Sequence, residues 1–267
     1  MKFTNFDNIM RKYEQSLDQV IANGNYIIAR LDGRSFHTFV KNENYDRPFD
    51  YNLKERMLNT MKNLIKESKF DIRYAYTQSD EISLLLDLND DTFGRKVRKI
   101  NSVLASCAAA YFNSQYYQYN NIANPANIGV FDCRVIPLPN KDLVKDYFVW
   151  RQEDCTRNCL NSYIYWTLRK EGCSIAKAVS KMDKMKFSEK HDFLHERGLN
   201  FNDFPDWQKR GVAVYWHTYQ KKAIDINGKE KICLRRKIYI NEHLHYGEEY
   251  AKWVIDSFAC EKGVKNV

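Results

Sequence analysis

Apolar positions in the first half of the chain fall into two rhythms, short dense runs and longer stretches at helical spacing. Asn25 to Leu31, NYIIARL, is a dense run that reads as a buried strand, stopping at Asp32-Gly33-Arg34. In YNLKERMLNTMKNLIKES the apolar residues Leu53, Met57, Met61, Leu64 and Ile65 recur at helical spacing. IRYAYTQ and ISLLLDL then read as two strands, with the acidic turn Gln78-Ser79-Asp80-Glu81 between them. GRKVRKINSVLASCAAAYFNSQYYQ reads as a long helix, and IGVFDCRVIPLP as a strand closed by two prolines. The opening MKFTNFDNIMRKYEQ reads as an amphipathic helix and lacks the apolar stretch of a secretory signal.

The resulting order is strand, helix, strand, strand, helix, strand. It predicts an α+β fold of the ferredoxin-like βαββαβ type, with helices packed on one antiparallel sheet in strand order 4-1-3-2. In that order the first and third strands are neighbours, and the end of the first strand meets the hairpin between the second and third. Asp32 and Asp80 are therefore expected side by side, although 48 positions separate them.

Ser and Asp are ordinary turn formers, so Ser79-Asp80 alone requires nothing beyond a turn. Two carboxylates converging on a sheet edge repel unless a cation joins them. An all-oxygen set of Asp32, Asp80 and the Gly33 carbonyl suits Mg²⁺, which keeps waters and takes substrate phosphates as ligands. Two such ions form a clamp for in-line phosphoryl transfer. Arg95, Arg98 and Lys99, at the start of the long helix, are placed to hold a triphosphate, the alternative being a solvated helix face.

Composition narrows the class. The 267 residues allow one large domain or two smaller ones, 44% of them hydrophobic and 28% charged. No apolar run is long enough to cross a bilayer, and a cytoplasmic location is expected. A net charge of +8 leans towards a polyanionic partner. The 7 cysteines include no CxxC pair, and Cys155 and Cys159 have no matching second pair, so reduced thiols are expected rather than a zinc site.

RLDGRSFHTF, YTQSDEISLLL, the basic helix and FDCRVIPLP occur in the order and spacing of the tRNA(His) guanylyltransferase family, which the chain resembles from about Phe3 to Pro139 and on into VWRQEDCTRNCLNSYIYW. That family includes the Thg1-like proteins, 3′-to-5′ polymerases. The resemblance implies a polymerase-type palm catalytic domain over 1–139, and an α-rich, tRNA-contacting region with a β-hairpin over 140–267. It implies metal-dependent nucleotide addition to the 5′ end of tRNA, with ATP or GTP activating a 5′-monophosphate and nucleoside triphosphates as substrates. Asp32 and Asp80 would be the metal-binding carboxylates, Gly33 a further ligand, and Glu81 the adjoining catalytic acid in a supporting role. Arg34, Ser35, Phe36 and His37 would wrap a nucleotide, Ser79 would touch it, and Arg47 with Arg95 and Lys99 would contact phosphates. A homotetramer is implied as well.

The chain departs from the eukaryotic guanylyltransferases where those carry HINNLYN. TRNCLNS stands here, with Thr156 in place of the His. The form Arg151-Gln152-x-Asp154-x-x-Arg157-Asn158 is more like the Thg1-like proteins, which favours templated repair of 5′-truncated tRNAs over addition of a single G to tRNA(His). Arg151, Asp154, Arg157 and Asn158 share a helix face, and either pair with one another or contact RNA. Towards the C-terminus an aromatic-rich strand ending in Lys has KICLRRKIYI as its hairpin partner, with Arg235 and Arg236 as candidate RNA contacts. His191 and His195 read as a solvated helix face. A nucleotide cyclase-like palm enzyme and a non-catalytic RNA-binding module with a ferredoxin-like core are the competing readings.

Overall fold

The computed structural model describes residues 3–120, 127–224 and 230–258. A six-stranded, fully antiparallel sheet in the order β4-β1-β3-β2-β5-β6 organises the chain. Its strands are β1 (Tyr26–Arg34), β2 (Ile72–Gln78), β3 (Glu81–Leu86), β4 (Val130–Leu138), β5 (Val212–Ile224) and β6 (Glu230–Asn241). The helices are α1 (Phe3–Gln15), α2 (Phe36–Asn42), α3 (Tyr51–Glu67), α4 (Val97–Asn120), α5 (Lys141–Lys170), α6 (Ile175–Asp183), α7 (Phe187–His195), α8 (Asp206–Arg210) and α9 (Glu248–Phe258). The first four strands stand in the expected 4-1-3-2 order. The C-terminal hairpin adds to the same sheet, β5 pairing with β2 through Ala75↔Val214 and Thr77↔Val212.

Both faces of the central strands are covered, which explains why these strands read as near-continuous apolar runs rather than alternating ones. On one face Ile27, Ala29, Leu31, Ile82 and Leu84 join Met57, Leu58, Met61 and Leu64 of α3 and Ile100, Leu104 and Phe112 of α4 in a single core. On the other, Tyr26, Ile28, Tyr74, Tyr76 and Leu85 pack against Val144, Tyr147 and Phe148 of α5 and Tyr250 and Val254 of α9. Helices α3 and α5, on opposite faces of the sheet, each begin with a side-chain cap. Asp50 accepts the Leu53 N–H at 3.0 Å, and Asn140 accepts the Leu143 N–H at 3.0 Å, satisfying backbone donors that have no intrahelical partner.

Two elements differ from expectation. The first strand does not stop at Leu31: it runs through Asp32-Gly33-Arg34, each paired with β4 as Asp32↔Asp132, Gly33↔Phe131 and Arg34↔Val130. The long helix begins at Val97, and Thr92–Arg95 forms a separate short turn before it.

Candidate active site at the β1 and β2–β3 edge

A two-residue turn, Ser79-Asp80, closes the β2–β3 hairpin between the paired Gln78 and Glu81. Ser79 takes φ 51°, in the left-handed region. The Gly33 N–H donates to the Asp80 carbonyl at 3.1 Å, tying β1 to this turn. Asp32 and Asp80 are thereby brought together from distant parts of the chain. Alternation along β1 puts Asp32 on the α5 side of the sheet, opposite Glu81 on β3 and Asp132 on β4.

Burial pushes the Asp80 carboxyl up to about 6, and the charges of Asp32 and Glu81 add to the rise; the Ser79 hydroxyl, 2.9 Å from Asp80 Oδ1, works against it. Glu81 has a different surrounding. Burial raises it too, but Arg151 of α5 donates to both of its oxygens, Nε at 2.7 Å and Nη2 at 2.5 Å. Arg151 Nη2 also reaches Asp154 at 2.8 Å, and Asp154 in turn receives Arg157 and Asn158. The expected helix-face ladder is therefore present, with one further rung: it continues into the sheet and ends on Glu81.

This ladder engages three candidates. The Glu81 carboxylate is occupied by a guanidinium, which suits a group that orients the hairpin rather than one that meets reacting atoms. Arg151, 5% exposed, and Asp154, with its side chain 13% exposed, are held by this network in the wall of a cleft. Arg157 keeps 68% of its side chain exposed and, with Asn158, lines a cleft.

Two hollows meet at Asp80. The smaller, about 360 Å³, is lined by Gly33, Ser35, Phe36, His37, Arg47, Ser79 and Asp80 among others, so seven of the residues expected around a nucleotide converge there. Arg47 is held in place by donating to the His37 carbonyl at 3.3 Å and by lying 5.3 Å from the Trp166 ring centre. A side chain at position 33 would overlap the ring of Phe36, itself fixed among Phe39, Phe112 and Phe131. The larger cleft, about 800 Å³, runs from Asp32 and Asp80 past Trp150 and Arg157 to Trp166. Among the described residues no three His, Cys, Asp or Glu side chains are grouped to hold a metal ion by themselves.

Arg34 is exposed and outside both hollows. Arg95 and Lys99 are not brought to this edge within the chain. Arg95 is 3% exposed and donates to the carbonyls of Ile21, Asn25, Leu88 and Asp90, which lie just before β1 and just after β3. That is the opposite end of the sheet from Asp32. The long helix starts there, so exposed Lys99 and Arg98, the latter paired with Asp18, lie at that end too. Helical spacing predicted the helix but not its direction relative to the sheet.

Arg236 is exposed, with its guanidinium 4.7 Å from the Trp216 ring centre, on the sheet face opposite that of Arg235. His191 is half-buried, its ring 4.8 Å from Phe187 and 5.2 Å from Phe201, whereas His195 is exposed. Cys155 and Cys159 are buried free thiols, and burial pushes Cys155 up to about 12.

Asp132, Arg30 and Trp150 were not singled out from the sequence. Arg30 lines the large cleft 6.0 Å from Trp150, and pairs in register with Arg134 as Asp32 does with Asp132. The alternation in FDCRV puts Asp132 and Arg134 on one face, but nothing in the sequence fixes their register against β1.

A palm-like sheet with converging carboxylates beside a nucleotide-sized hollow is the architecture of a nucleotidyltransferase. The chain belongs to the tRNA(His) guanylyltransferase family: residues 7–139 match its Thg1 family model and residues 142–249 the Thg1 C-terminal domain. It is 32% identical over 231 residues to the tRNA(His) guanylyltransferase of Debaryomyces hansenii, covering 82% of this chain and 85% of the relative. Among solved structures, a bacterial Thg1-like protein in complex with ATP superposes with TM-score 0.73 at 28% identity, covering 96% of this chain and 100% of that one. The tRNA(His) guanylyltransferase of Saccharomyces cerevisiae superposes with TM-score 0.68 at 29% identity, covering 75% and 90%. The protein is accordingly a nucleotidyltransferase of this family. Among the described residues, no helix is long and apolar enough to cross a membrane.

Proposed function

We propose that the protein adds nucleotides to the 5′ end of tRNA in the 3′-to-5′ direction, using the edge built from Asp32 and Asp80, and that its task is templated repair of 5′-truncated tRNAs. The observation that carries the reading is the junction of Gly33 with the Ser79-Asp80 turn, which sets two carboxylates between a nucleotide-sized hollow and a larger cleft.

A divalent ion fits the residues present. Asp32, Asp80 and the Gly33 carbonyl are all hard oxygen donors, and a cation would remove the penalty that burial and Asp32 impose on Asp80. With fewer than three side-chain ligands, such an ion keeps positions for water and phosphate, which suits Mg²⁺. Two Mg²⁺ ions, when bound, supply charge neutralisation on the attacking and leaving oxygens.

Two phosphoryl transfers follow. A 5′-phosphate oxygen of the tRNA attacks the α-phosphorus of ATP or GTP, forming a nucleotidylylated end and releasing pyrophosphate. The 3′-hydroxyl of an incoming nucleotide then attacks the 5′ phosphorus and expels the nucleoside monophosphate. Ser35, Phe36, His37 and Ser79 would seat the nucleotide, and Arg47 would neutralise its phosphates. The protein's contribution is positioning and charge. A cytoplasmic homotetramer belongs to the same reading.

Repair is favoured by Thr156, whose hydroxyl is engaged with the Gln152 and Lys209 carbonyls where the eukaryotic motif has His. Full-length correspondence with the bacterial Thg1-like protein supports it too. Addition of one G to tRNA(His) is the second reading, favoured by the activity named for the relative from Debaryomyces hansenii. The two are separated by incubating the protein with Mg²⁺, ATP and all four nucleotides and either tRNA(His) lacking its extra G or a non-His tRNA lacking its first nucleotide. Restoration of the second supports repair. Addition to tRNA(His) alone supports the guanylyltransferase reading, and extension of neither counts against both.

A further inference from the structure

Arg47, on the stretch between α2 and α3, stands where the two hollows meet. It lines both of them, as do Ser79 and Asp80, whereas Trp166 lines only the larger. The charge of Arg47 is uncommitted. Among the described residues no carboxylate pairs with it, and its hydrogen bond there runs from Nη2 to the His37 carbonyl. The other N–H donors of the guanidinium are left for a ligand.

Helix α5 is what aims this group. The Trp166 ring centre lies 5.3 Å from the guanidinium, within the roughly 6 Å over which an aromatic face attracts a cation. Two residues further on, Phe49 packs against Tyr163 of α5, ring centres 5.7 Å apart, and against Trp207 of α8 at 5.8 Å. Tyr163 and Trp166 are three positions apart and share a helix face, so α5 grips the stretch at two points. Asp50 then caps α3 and fixes its far end. A carboxylate beside Arg47 would hold it as firmly but would cancel its charge. An aromatic face holds it without doing so, and a planar guanidinium can stack while its edge keeps donors free.

We infer that Trp166 is the positioning residue for Arg47, holding the guanidinium at the meeting point of the two hollows so that it faces the phosphate chain of the bound nucleotide. Trp166 acts through Arg47 on the phosphates and not on the nucleoside. The inference rests on the proposed function. In both transfers of that reading the phosphate under attack lies between the nucleotide in the smaller hollow and the RNA end in the cleft, where Arg47 is the cation that borders both. Helix α5 would then serve the catalytic edge twice, through Arg151 on the hairpin beside Asp80 and through Trp166 on Arg47.

The test is a double-mutant cycle on ATP affinity, measured calorimetrically with Mg²⁺ on the full chain. Its corners are the parent, Trp166→Leu, Arg47→Met and the two together. The expected result is about a fivefold loss for Trp166→Leu, the scale of one cation–π contact, recovered in large part by Trp166→Phe. Adding Trp166→Leu to Arg47→Met should cost less than about twofold more. Adenosine, which lacks the phosphates, should bind Trp166→Leu and the parent alike. Thermal unfolding checks the fold, and Trp166→Met runs the same cycle if the leucine variant does not fold. Additive losses, an equal loss for adenosine, or unchanged ATP affinity in Trp166→Leu overturn the inference while leaving the proposed function standing. So does a loss confined to 5′-phosphorylated RNA, which would make Trp166 a surface for the RNA rather than a support for Arg47. A parent that binds no ATP overturns both.

Discussion

Arg151 holds Glu81 by two hydrogen bonds of 2.7 and 2.5 Å across the junction between α5 and the sheet. This pair locks the residue next to Asp80, so the charge state and position of the hairpin depend on a helix whose sequence is about 70 positions away. A buried ion pair loses most when a single partner is removed, since the survivor keeps its desolvation cost. Arg151→Ala is therefore expected to cost about 3–5 kcal/mol of stability, and Arg151→Met with Glu81→Gln considerably less. Denaturant unfolding of the two variants checks this. Equal losses would mean that the pair does not act as a unit.

Asp80 predicts an unusual pH dependence in the metal-free protein. Its folded-state value, about 6, lies above the ordinary value of an aspartate, so the folded state binds the proton more tightly than the unfolded state does. The contribution of this group to stability is full below the unfolded value and is lost as pH rises through about 6. In chelator, Asp80→Asn should accordingly be at least as stable as the parent at pH 7.5, and the difference should vanish near pH 3.5. Thermal unfolding across that window measures it. A variant less stable than the parent at pH 7.5 would contradict the sign.

Gly33 is required for space rather than for backbone freedom. A methyl group there overlaps the Phe36 ring, which is held by Phe39, Phe112 and Phe131 and cannot swing away. Gly33→Ala is expected to destabilise by about 1–3 kcal/mol, the range for overpacking a filled core. It should also raise the KM for nucleotide by distorting the hollow. Unchanged melting and KM would show that the ring relaxes freely.

Arg95 gives the sharpest separation of a structural from a phosphate-binding role. Its guanidinium satisfies four backbone carbonyls at the end of the sheet remote from Asp32. Arg95→Ala should lower the melting temperature markedly while leaving the KM for nucleoside triphosphate unchanged in the folded protein. A large rise in KM without loss of stability would restore the phosphate role.

Much of this was legible in the sequence because the physics was local. Dense apolar runs and helical spacing gave the palm strands and both long helices, and the strand order followed from the βαββαβ pattern. The convergence of Asp32 and Asp80 was a consequence of that order. What stayed hidden depended on direction and register. A basic stretch at a helix start is ambiguous until the end of the sheet at which the helix begins is known, and Arg95 and Lys99 lie at the far one. Adjacent Arg235 and Arg236, both exposed, point to opposite faces because a strand alternates, and only Arg236 lies against Trp216. Asp132 becomes visible only once β4 is set in register against β1. Helical spacing did show the Arg151-Asp154-Arg157 ladder, but its last rung, Glu81, needed the tertiary contact.

The most direct test of the central claim is 5′-end extension of a truncated, 5′-phosphorylated tRNA by the parent and by Asp80→Asn, with RNA binding measured on the same preparations. The account predicts that the variant binds the RNA with parental affinity and extends it at least a thousandfold more slowly. A variant that extends the RNA at a rate close to the parent's would place the chemistry elsewhere and contradict the account.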